Sequence, residues 1–447
     1  MKSLFGTDGI RGVAGTYPLD EWTVYACARS LAAHLERILN RPPHVVIGRD
    51  TRESGRWIEG IVTRGLRDFG AEVLSAGVIT TPGVAYLTRS ELFDAGVVIS
   101  ASHNPVPDNG IKMFSAAGIK LEDELERAIE ADIQRSTPPT SGIGPCWLES
   151  EDHLRRLYVD YLTQEIGRDL DLGGSNLMLD CAHGAAYEIA PAVFMALGAN
   201  VQVRAAEPDG KNINQDCGAV HTEILSQWMR QDTCDLGIAF DGDADRALFV
   251  GRDGFVFDGD HTMFVVANYL KERGRLNQDL VVGTVMSNWG LEKALQVRGI
   301  KLYRTQVGDR YVLETLLELD GSIGGEQSGH IIFPRISLAG DGIITALEML
   351  RIFKETGSDF YHLTRDFTQY PQVLINVLVK SKPPFESIPP ISSQVRYIEE
   401  QLEGRGRLLL RYSGTEDKAR VMIEADDPEL VQRLANQLAD TIRDCLG

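Results

Sequence analysis

The 447-residue chain is acidic, because 64 Asp and Glu residues outnumber 45 Lys and Arg residues and give a formal net charge of −19. This charge disfavours non-specific binding to nucleic acid or to anionic membranes. No stretch reaches the ~18 unbroken apolar residues of a membrane helix, and Gly6 and Asp8 interrupt the apolar run that a signal peptide requires. The six cysteines form no C-x-x-C pair, so we expect reduced thiols and a cytoplasmic location. The length alone, at ~150 residues per domain, predicts three or four domains.

Most of the chain repeats one pattern, in which an apolar strand is followed by a helix, a glycine and a second strand. The pattern occurs at 45–74, 177–203 and 280–303, where Gly70, Gly198 and Gly299 follow the helices. Three β-α-β units of this kind predict largely parallel, buried strands joined by crossover helices.

The last segment has a different pattern. Strands are predicted at 373–379, 408–410 and 421–423, and helices at 395–402 and 430–442. The predicted fold class is therefore α/β with four domains, in which three repeated α/β units with mixed sheets precede a smaller C-terminal α+β domain. The predicted boundaries are 1–152, 153–254, 255–366 and 367–447.

The first loop with chemical potential follows the apolar strand 96–99. It contains Ser102, His103, Asn104 and Pro105 and leads to Lys112. Ser102 lacks the G-x-S-x-G elbow of hydrolases, so a Ser-His-Asp triad fits poorly, and an ordinary loop serine is the alternative.

The second loop brings three carboxylates together, at Asp241, Asp243 and Asp245, between two apolar strands. Repulsion between two such charges in contact costs about 1 kcal/mol in water and about 4 kcal/mol at an effective dielectric of 20. A divalent cation would offset this repulsion, so the loop favours one. Arg246 and Arg252 occupy the positions where an EF-hand needs Gly and Glu, which leaves Mg²⁺ as the leading candidate. The alternative is an acidic surface turn.

The third loop, 324–330, offers an acid, an amide, a hydroxyl and an imidazole on a glycine-rich backbone. These groups belong to Glu326, Gln327, Ser328 and His330. Such a loop can bind a polyol, and an ordinary glycine-rich turn is the alternative.

The fourth loop joins two predicted strands and combines guanidinium groups, hydroxyls and backbone amides. It contains Arg411, Ser413, Gly414 and Thr415, and Arg420 begins the next strand. This composition is typical of phosphate binding, and a hairpin with surface arginines is the alternative. Neither a Walker A motif nor G-x-G-x-x-G occurs in the chain.

The four loops in this order, together with the segment 6–12, resemble the α-D-phosphohexomutase superfamily over essentially the whole chain. The resemblance implies that Ser102 carries a phosphoryl group, donates it to a phosphosugar and is rephosphorylated from the resulting 1,6-bisphosphate. It implies one Mg²⁺, held by Ser102, Asp241, Asp243 and Asp245.

The resemblance also implies roles for the other loop residues. Lys112 and Arg11 would be catalytic residues that stabilise charge or move protons, with His330 as a further candidate. Arg246 would be a catalytic residue that offsets negative charge beside the metal loop. Glu326 and Ser328 would contact sugar hydroxyls. The residues implied for the distal phosphate are Arg411, Ser413, Gly414, Thr415 and Arg420.

Within the superfamily, the segments 212–218 and 307–312 and Gln327 resemble phosphoglucosamine mutases, whereas phosphomannomutase/phosphoglucomutases usually have Met at the last position. This branch implies interconversion of glucosamine 6-phosphate and glucosamine 1-phosphate for amino-sugar nucleotide and cell-wall precursor synthesis, with glucosamine 1,6-bisphosphate or a related bisphosphate as activator. The alternatives are a phosphomannomutase/phosphoglucomutase and a catalytically silent sugar-phosphate-binding regulator. The segments 106–107 and 416–419 depart from the family pattern. An apolar face on the first domain would support a homodimer.

Overall fold

Four β-sheets follow one another along the chain in the computed structural model, which describes residues 4–6, 8–140, 142–413 and 417–447. None of the helices in these ranges combines the length and the apolar composition that crossing a membrane requires.

The first sheet has five strands in the order β1-β5-β4-β2-β3. Its strands are β1 (Ile10–Val13), β2 (His44–Arg49), β3 (Glu72–Val78), β4 (Ala95–Ile99) and β5 (Asp108–Ser115). Its helices are α1 (Glu21–Leu39), α2 (Glu53–Arg67), α3 (Thr81–Ser90) and α4 (Asp123–Arg135). Asp20 begins α1 by accepting a hydrogen bond from the Thr23 amide at 3.0 Å, and Asn40 ends it in the left-handed conformation.

The second sheet also has five strands, in the order β10-β9-β8-β6-β7, and α5 (Asp152–Asp160) leads into it through a π-helical turn at Tyr161–Ile166. Its strands are β6 (Asn176–Asp180), β7 (Asn200–Arg204), β8 (Leu236–Phe240), β9 (Ala247–Val250) and β10 (Val256–Phe257). Its helices are α6 (Ile189–Ala196) and α7 (Thr222–Gln231).

The third sheet has four strands in the order β12-β11-β13-β14. They are β11 (Leu280–Thr284), β12 (Lys301–Thr305), β13 (Gly324–Gly325) and β14 (Ile331–Ile332). The helices around it are α8 (Gly259–Glu272), α9 (Trp289–Val297), α10 (Asp309–Glu318), α11 (Gly342–Thr356) and α12 (Phe360–Leu363), with a 3₁₀ turn at Asn277–Asp279. The second and third sheets share one continuous apolar core.

The fourth sheet has three antiparallel strands and its own apolar core. It consists of β15 (Gln372–Leu378), β16 (Gly406–Tyr412) and β17 (Lys418–Ala425), with a 3₁₀ turn at Phe385–Ser387 and helices α13 (Pro389–Leu402) and α14 (Pro428–Leu446). Both helices extend beyond their predicted bounds. Each has proline in its first turn, where the missing N–H breaks no helical bond.

The predicted fold class is confirmed. In each repeated unit the two strands flanking the helix pair in parallel, as β2 with β3, β6 with β7 and β11 with β12. The sheets are mixed because another strand pair in each of these sheets is an antiparallel hairpin, namely β4–β5, β8–β9 and β13–β14. The β16–β17 hairpin of the last domain is the fourth of this kind. Each of the four motif loops is the connection of one hairpin.

Candidate active site

The loops of the first two hairpins meet at Ser102. The Ser102 hydroxyl donates a hydrogen bond to Asp241 Oδ2, and its Oγ lies 3.2 Å from His103 Nδ1. Gly242 permits this approach, since a Cβ atom there would lie 2.5 Å from the Ser102 carbonyl oxygen. Burial, with the nearby Arg246 and Arg11, lowers the pKa of His103 to about 4, so its imidazole is neutral at pH 7.

The three aspartates form a buried cluster that can hold a metal ion. One carboxylate oxygen from each of Asp241, Asp243 and Asp245 lies within 4.8 Å of the others. Burial and the other two carboxylates raise the pKa of Asp241 well above its usual value, which expresses the repulsion expected from the sequence. Asp243 Oδ1 and Asp245 Oδ1 are buried without a hydrogen-bond partner among the described residues. This set of buried, partly unpartnered oxygens fits a hard divalent cation.

Lys112 lies beside the cluster as a buried cation. Its ammonium is 2.8 Å from Asp243 Oδ2, 3.5 Å from Asp245 Oδ2 and 3.3 Å from Asp8 Oδ2. Burial alone would lower the pKa of Lys112, but these carboxylates outweigh it and raise that pKa well above its usual value. Arg11 pairs with Asp8 and donates to Asn104 Oδ1 at 3.3 Å. Lys112 and Arg11 therefore both carry positive charge at the edge of the serine loop.

Arg246 directly follows the last residue of the aspartate cluster in the sequence. Its amide donates to Asp241 Oδ1 at 3.2 Å, and its Nε lies 3.6 Å from Asp245 Oδ1. Thr81 supports the same loop from the first domain, because its hydroxyl donates to Asp243 Oδ2 at 2.6 Å and its amide donates to the Asp243 carbonyl at 3.0 Å. The aspartate cluster is thus held from two domains.

The loop of the third hairpin brings His330 to the aspartate cluster. His330 Nδ1 lies 3.5 Å from Asp245 Oδ1, and Nε2 lies 3.8 Å from Asp309 Oδ2. Burial would lower the pKa of His330, but Asp245, Asp309 and Glu326 raise it to about 9. A divalent cation beside Asp245 would oppose that shift, since it repels an imidazolium.

The remaining predicted residues of this loop lie close by. Glu326 Oε1 accepts a hydrogen bond from the Gly308 amide at 3.1 Å, and the Ser328 hydroxyl is buried without a partner among the described residues. The Gln327 amide donates to Asp258 Oδ2 at 3.1 Å. Glu326 is thereby tied to the segment 307–312, which the sequence had singled out.

The fourth hairpin carries a separate group of residues. Arg411 on β16 lies directly opposite Arg420 on β17, and burial together with that neighbour lowers the pKa of Arg411. The Ser413 amide donates to the Lys418 carbonyl at 2.8 Å across the end of the hairpin. Gly414 and Thr415 lie outside the described residues. The two arginines form a paired cationic surface of the kind that binds phosphate.

Sequence reasoning missed an ion-pair chain that joins the first and third domains. Lys120 Nζ lies 2.6 Å from Asp8 Oδ1 and 2.8 Å from Asp309 Oδ1. Asp8 was visible within the segment 6–12 and Asp309 within 307–312, but no local pattern connects Lys120 with either of them. These residues, together with Lys112 and His330, line a cavity of about 150 Å³ between the two domains.

Family models match the chain along almost its whole length. They are the phosphoglucomutase/phosphomannomutase alpha/beta/alpha domains I over residues 2–139, II over 156–254 and III over 258–370, and the C-terminal domain over 374–441. A phosphoglucosamine mutase of Solibacter usitatus is 47% identical over 450 residues, which span 100% of this chain and 99% of that protein. One from Thermoanaerobacter sp. is 47% identical over 448 residues, or 99% of each. The chain belongs to the phosphoglucosamine mutase family.

Membership in the phosphoglucosamine mutase family makes the chain a phosphohexomutase of the isomerase class, as the loops predicted. Solved structures share the fold at lower identity. A phosphoglucomutase/phosphomannomutase family protein of Burkholderia thailandensis has a TM-score of 0.79 and 22% identity, covering 99% of this chain and 98% of that one. An Aspergillus fumigatus N-acetylphosphoglucosamine mutase, solved in complex with GlcNAc-6P and magnesium, has a TM-score of 0.68 and 18% identity, covering 99% and 96%.

Proposed function

We propose that the chain interconverts glucosamine 6-phosphate and glucosamine 1-phosphate through a phosphoserine at position 102 and a 1,6-bisphosphate intermediate. The observation that carries this proposal is the buried contact between the Ser102 hydroxyl and Asp241, beside the other two aspartates and Lys112. A serine surrounded by cation ligands and a buried ammonium is suited to carry a phosphoryl group. The full-length relatives support the choice of sugar.

The proposed metal ion is one Mg²⁺, held by Asp241, Asp243, Asp245 and an oxygen of phosphorylated Ser102. All of these ligands are oxygen atoms, which favours Mg²⁺ over Zn²⁺. When bound, the ion would withdraw negative charge from the phosphoryl oxygens. Phosphoserine of charge about −2 and three aspartates would carry about −5, which one Mg²⁺, Lys112 and Arg246 would reduce to about −1.

The first transfer breaks the bond between phosphorus and Ser102 Oγ and forms a bond from phosphorus to the 1-hydroxyl oxygen of the sugar. The hydroxyl proton must leave at the same time, and Ser102 Oγ must gain a proton as it departs. A divalent cation beside Asp245 would oppose the raised pKa of His330, and the neutral imidazole is then our candidate to accept that proton at Nε2, since Nε2 has no hydrogen-bond partner among the described residues and His330 lines the cavity. Lys112 and Arg11 would remain cationic and stabilise the phosphoryl oxygens. The second transfer breaks the bond between phosphorus and the 6-oxygen of the sugar and forms a bond from phosphorus to Ser102 Oγ, while the proton of the Ser102 hydroxyl passes to the 6-oxygen.

The sugar and its distal phosphate would be held by the third and fourth loops. Glu326 and Ser328 would bind sugar hydroxyls. The proposed distal phosphate ligands are Arg411, Ser413, Gly414, Thr415 and Arg420. Since one serine serves both ends of the bisphosphate, the sugar must turn end for end between the two transfers while the same arginines bind either phosphate.

The proposed setting is the cytoplasm, where the product would enter amino-sugar nucleotide and cell-wall precursor synthesis. All six cysteines are free thiols, which suits a reducing compartment. Glucosamine 1,6-bisphosphate or a related bisphosphate would activate any enzyme molecules that have lost the phosphoryl group. A homodimer through the first domain remains part of this proposal.

Comparison of kcat/KM for glucosamine 6-phosphate, mannose 6-phosphate and glucose 6-phosphate tests the proposed substrate. We expect glucosamine 6-phosphate to be preferred. A preference of about tenfold or more for either other sugar, equivalent to about 1.4 kcal/mol in transition-state binding, would identify a phosphomannomutase/phosphoglucomutase instead. Peptide mass spectrometry of the same preparation tests the silent regulator, which has no use for phosphate on Ser102.

A further inference from the structure

The asparagine-rich segment 212–218 reaches the serine loop from the second domain. Asn214 is only 6% exposed, and its Nδ2 donates hydrogen bonds to the Ser102 carbonyl at 2.8 Å and to the Asn104 carbonyl at 3.3 Å. Carbonyl oxygens can only accept, so the amide must present its NH₂ group to them. Asn214 Oδ1 is buried and has no hydrogen-bond partner within the described ranges. The Asn214 side chain therefore donates to two carbonyl groups of the serine loop, while its own oxygen has no hydrogen-bond donor among the described residues.

The backbone of Ser102 depends on such contacts, because its φ of 51° lies in the left-handed region that non-glycine residues seldom adopt. The Ser102 amide donates to Ser100 Oγ at 2.9 Å. The Ser102 carbonyl accepts from Arg52 Nη2 at 3.0 Å as well as from Asn214. Relaxation of φ to the ordinary region would rotate the side chain and separate Oγ from Asp241.

Arg52 and Asn214 hold the carbonyl from different domains. Arg52 belongs to the first domain, like Ser102, and also donates to the Pro105 carbonyl at 2.7 Å. It therefore shapes the loop internally. Asn214 belongs to the second domain, which also carries the three metal-binding aspartates. Together with the Thr81–Asp243 contacts, its bond therefore helps to place the serine loop relative to the aspartate cluster, and it is the bond that reaches the Ser102 carbonyl from the second domain.

The position of Asn214 is itself fixed by the second sheet. The backbone amide of Asn214 donates to the Ala182 carbonyl at 2.9 Å. Asp180, the last residue of β6, accepts from the Ala182 amide at 3.0 Å and from the Gly218 amide at 2.7 Å. A short, side-chain-anchored path thus connects the end of a buried strand with the carbonyl of the reacting serine.

We propose that Asn214 is a positioning residue for phosphoryl transfer, which holds the Ser102 backbone so that Oγ faces the aspartate cluster throughout the catalytic cycle. This inference rests on the proposed function, since it assumes that Ser102 carries the phosphoryl group. It gives a structural role to a segment that the sequence had distinguished only by resemblance. It also predicts that loss of the amide impairs transfer more than sugar binding, because no sugar ligand is removed.

Two variants test this role. Asn214→Gly removes the side chain and tolerates the φ of 57° at this position, and Asn214→Asp keeps the shape but turns a carboxylate oxygen toward two carbonyl oxygens. Asn212→Ala is the matched control, because among the described residues the Asn212 side chain bonds only to the preceding stretch of the second domain, donating to the Glu207 carbonyl at 2.9 Å and accepting from the Asp209 amide at 3.0 Å. Arg52 is unsuitable for this test because its removal would leave the buried Asp50 without its cation.

Steady-state kinetics and thermal unfolding of the full-length variants should be measured with glucosamine 6-phosphate. We expect kcat to fall about tenfold or more in Asn214→Gly, and at least as far in Asn214→Asp, because small displacements of a reacting atom are costly. KM should stay within about twofold, the unfolding midpoint of Asn214→Gly should stay near that of the parent, and Asn212→Ala should retain its kcat.

The ³¹P resonance of phosphorylated Ser102 should also shift in both Asn214 variants and not in Asn212→Ala. An unchanged kcat in Asn214→Gly, or a rise in KM at constant kcat, would overturn the proposal. The proposal would also be overturned if Asn214→Gly lost kcat and thermal stability in parallel and to the same extent as Asn212→Ala. If Asn214→Gly does not fold, Asn214→Asp decides by the same criteria. Failure of the parent enzyme to turn over the sugar would instead refute the proposed function.

Discussion

Replacement of Glu424 with Gln should weaken the joint between the third and fourth domains and raise the KM for the phosphosugar. Glu424 is completely buried, and its Oε2 accepts from Arg407 Nε at 2.6 Å and from the Trp289 amide at 3.1 Å. Arg407 Nη2 also donates to the Ser287 carbonyl at 2.7 Å. The Arg407–Glu424 pair of the fourth domain is therefore hydrogen-bonded to the backbone of the third domain at the start of α9.

The same face of the fourth sheet carries the proposed phosphate ligands. Arg407 pairs with Glu424 in the strand register, and Arg411 pairs with Arg420 four residues further along. Because side chains alternate between faces along a strand, all four lie on one face, about 13 Å apart from pair to pair. A change in how the first pair is seated must therefore move the second pair relative to Ser102.

The expected magnitude follows from the burial and charge of the pair. Removal of one partner from a buried pair costs about 3–5 kcal/mol. Gln retains an acceptor for Trp289, and the Arg407 side chain is 19% exposed, so we expect a smaller loss of about 2 kcal/mol. Burial and Arg407 already lower the pKa of Arg304, and loss of the central carboxylate would leave these two guanidinium groups to repel each other. A loss of about 2 kcal/mol corresponds to a factor of about 30 in the docking equilibrium.

Steady-state kinetics with glucosamine 6-phosphate, assay of released bisphosphate and solution scattering with and without glucosamine 1-phosphate measure the effect. In Glu424→Gln we expect KM to rise about ten- to thirtyfold, kcat to change less than about threefold and more bisphosphate to escape. Asp426→Asn is the control, because it removes an exposed pair with Arg405 that is worth about 0–1 kcal/mol. A wild-type KM in Glu424→Gln, with unchanged scattering, would refute this reasoning.

Three further predictions concern the metal cluster, the ion-pair chain and the distal phosphate. Chelator-treated enzyme should lose turnover and regain it with Mg²⁺, whereas undiminished turnover after chelation would contradict the proposed metal site. Lys120→Met should lower kcat/KM about tenfold or more, because Asp8 and Asp309 lose a shared cation, and unchanged kinetics would show that this bridge is dispensable. Arg411→Ala should raise both KM and the fraction of bisphosphate released, and a wild-type value of both would remove Arg411 from the phosphate site.

Local patterns in the sequence were sufficient to predict the repeated units and the clustering of the three aspartates. The apolar strand before Asp241 and the alternation of the three aspartates reflect strand burial and the repulsion between neighbouring carboxylates, which both act within a few residues. The parallel strand pairs followed from helices that are each followed by a glycine, namely Gly70, Gly198 and Gly299. Long periodic segments of this kind reveal their structure because their buried apolar residues recur at the period of a helix or a strand.

Contacts between distant segments could not be predicted in this way. Lys120 meets Asp309 across 189 residues, and Asn214 meets Ser102 across 112, so neither contact has a local signal. The strands β13 and β14 have only two residues each, too few for any periodicity to show. The carbonyl of Ser102, a residue with left-handed φ, likewise accepts hydrogen bonds from Arg52 and Asn214, which lie outside the serine loop. These features depend on packing between the domains, which a single sequence does not display.

A single-turnover transfer from radiolabelled phosphoserine tests the central claim most directly. Enzyme labelled at Ser102 is mixed with an excess of unlabelled glucosamine 6-phosphate and quenched over time, with Ser102→Ala as the unlabelled control. We expect the label to leave the peptide that contains Ser102, to pass through glucosamine 1,6-bisphosphate and to appear in glucosamine 1-phosphate. Label that stays on the protein, or that is released only as inorganic phosphate, would contradict the proposed phosphoserine mechanism.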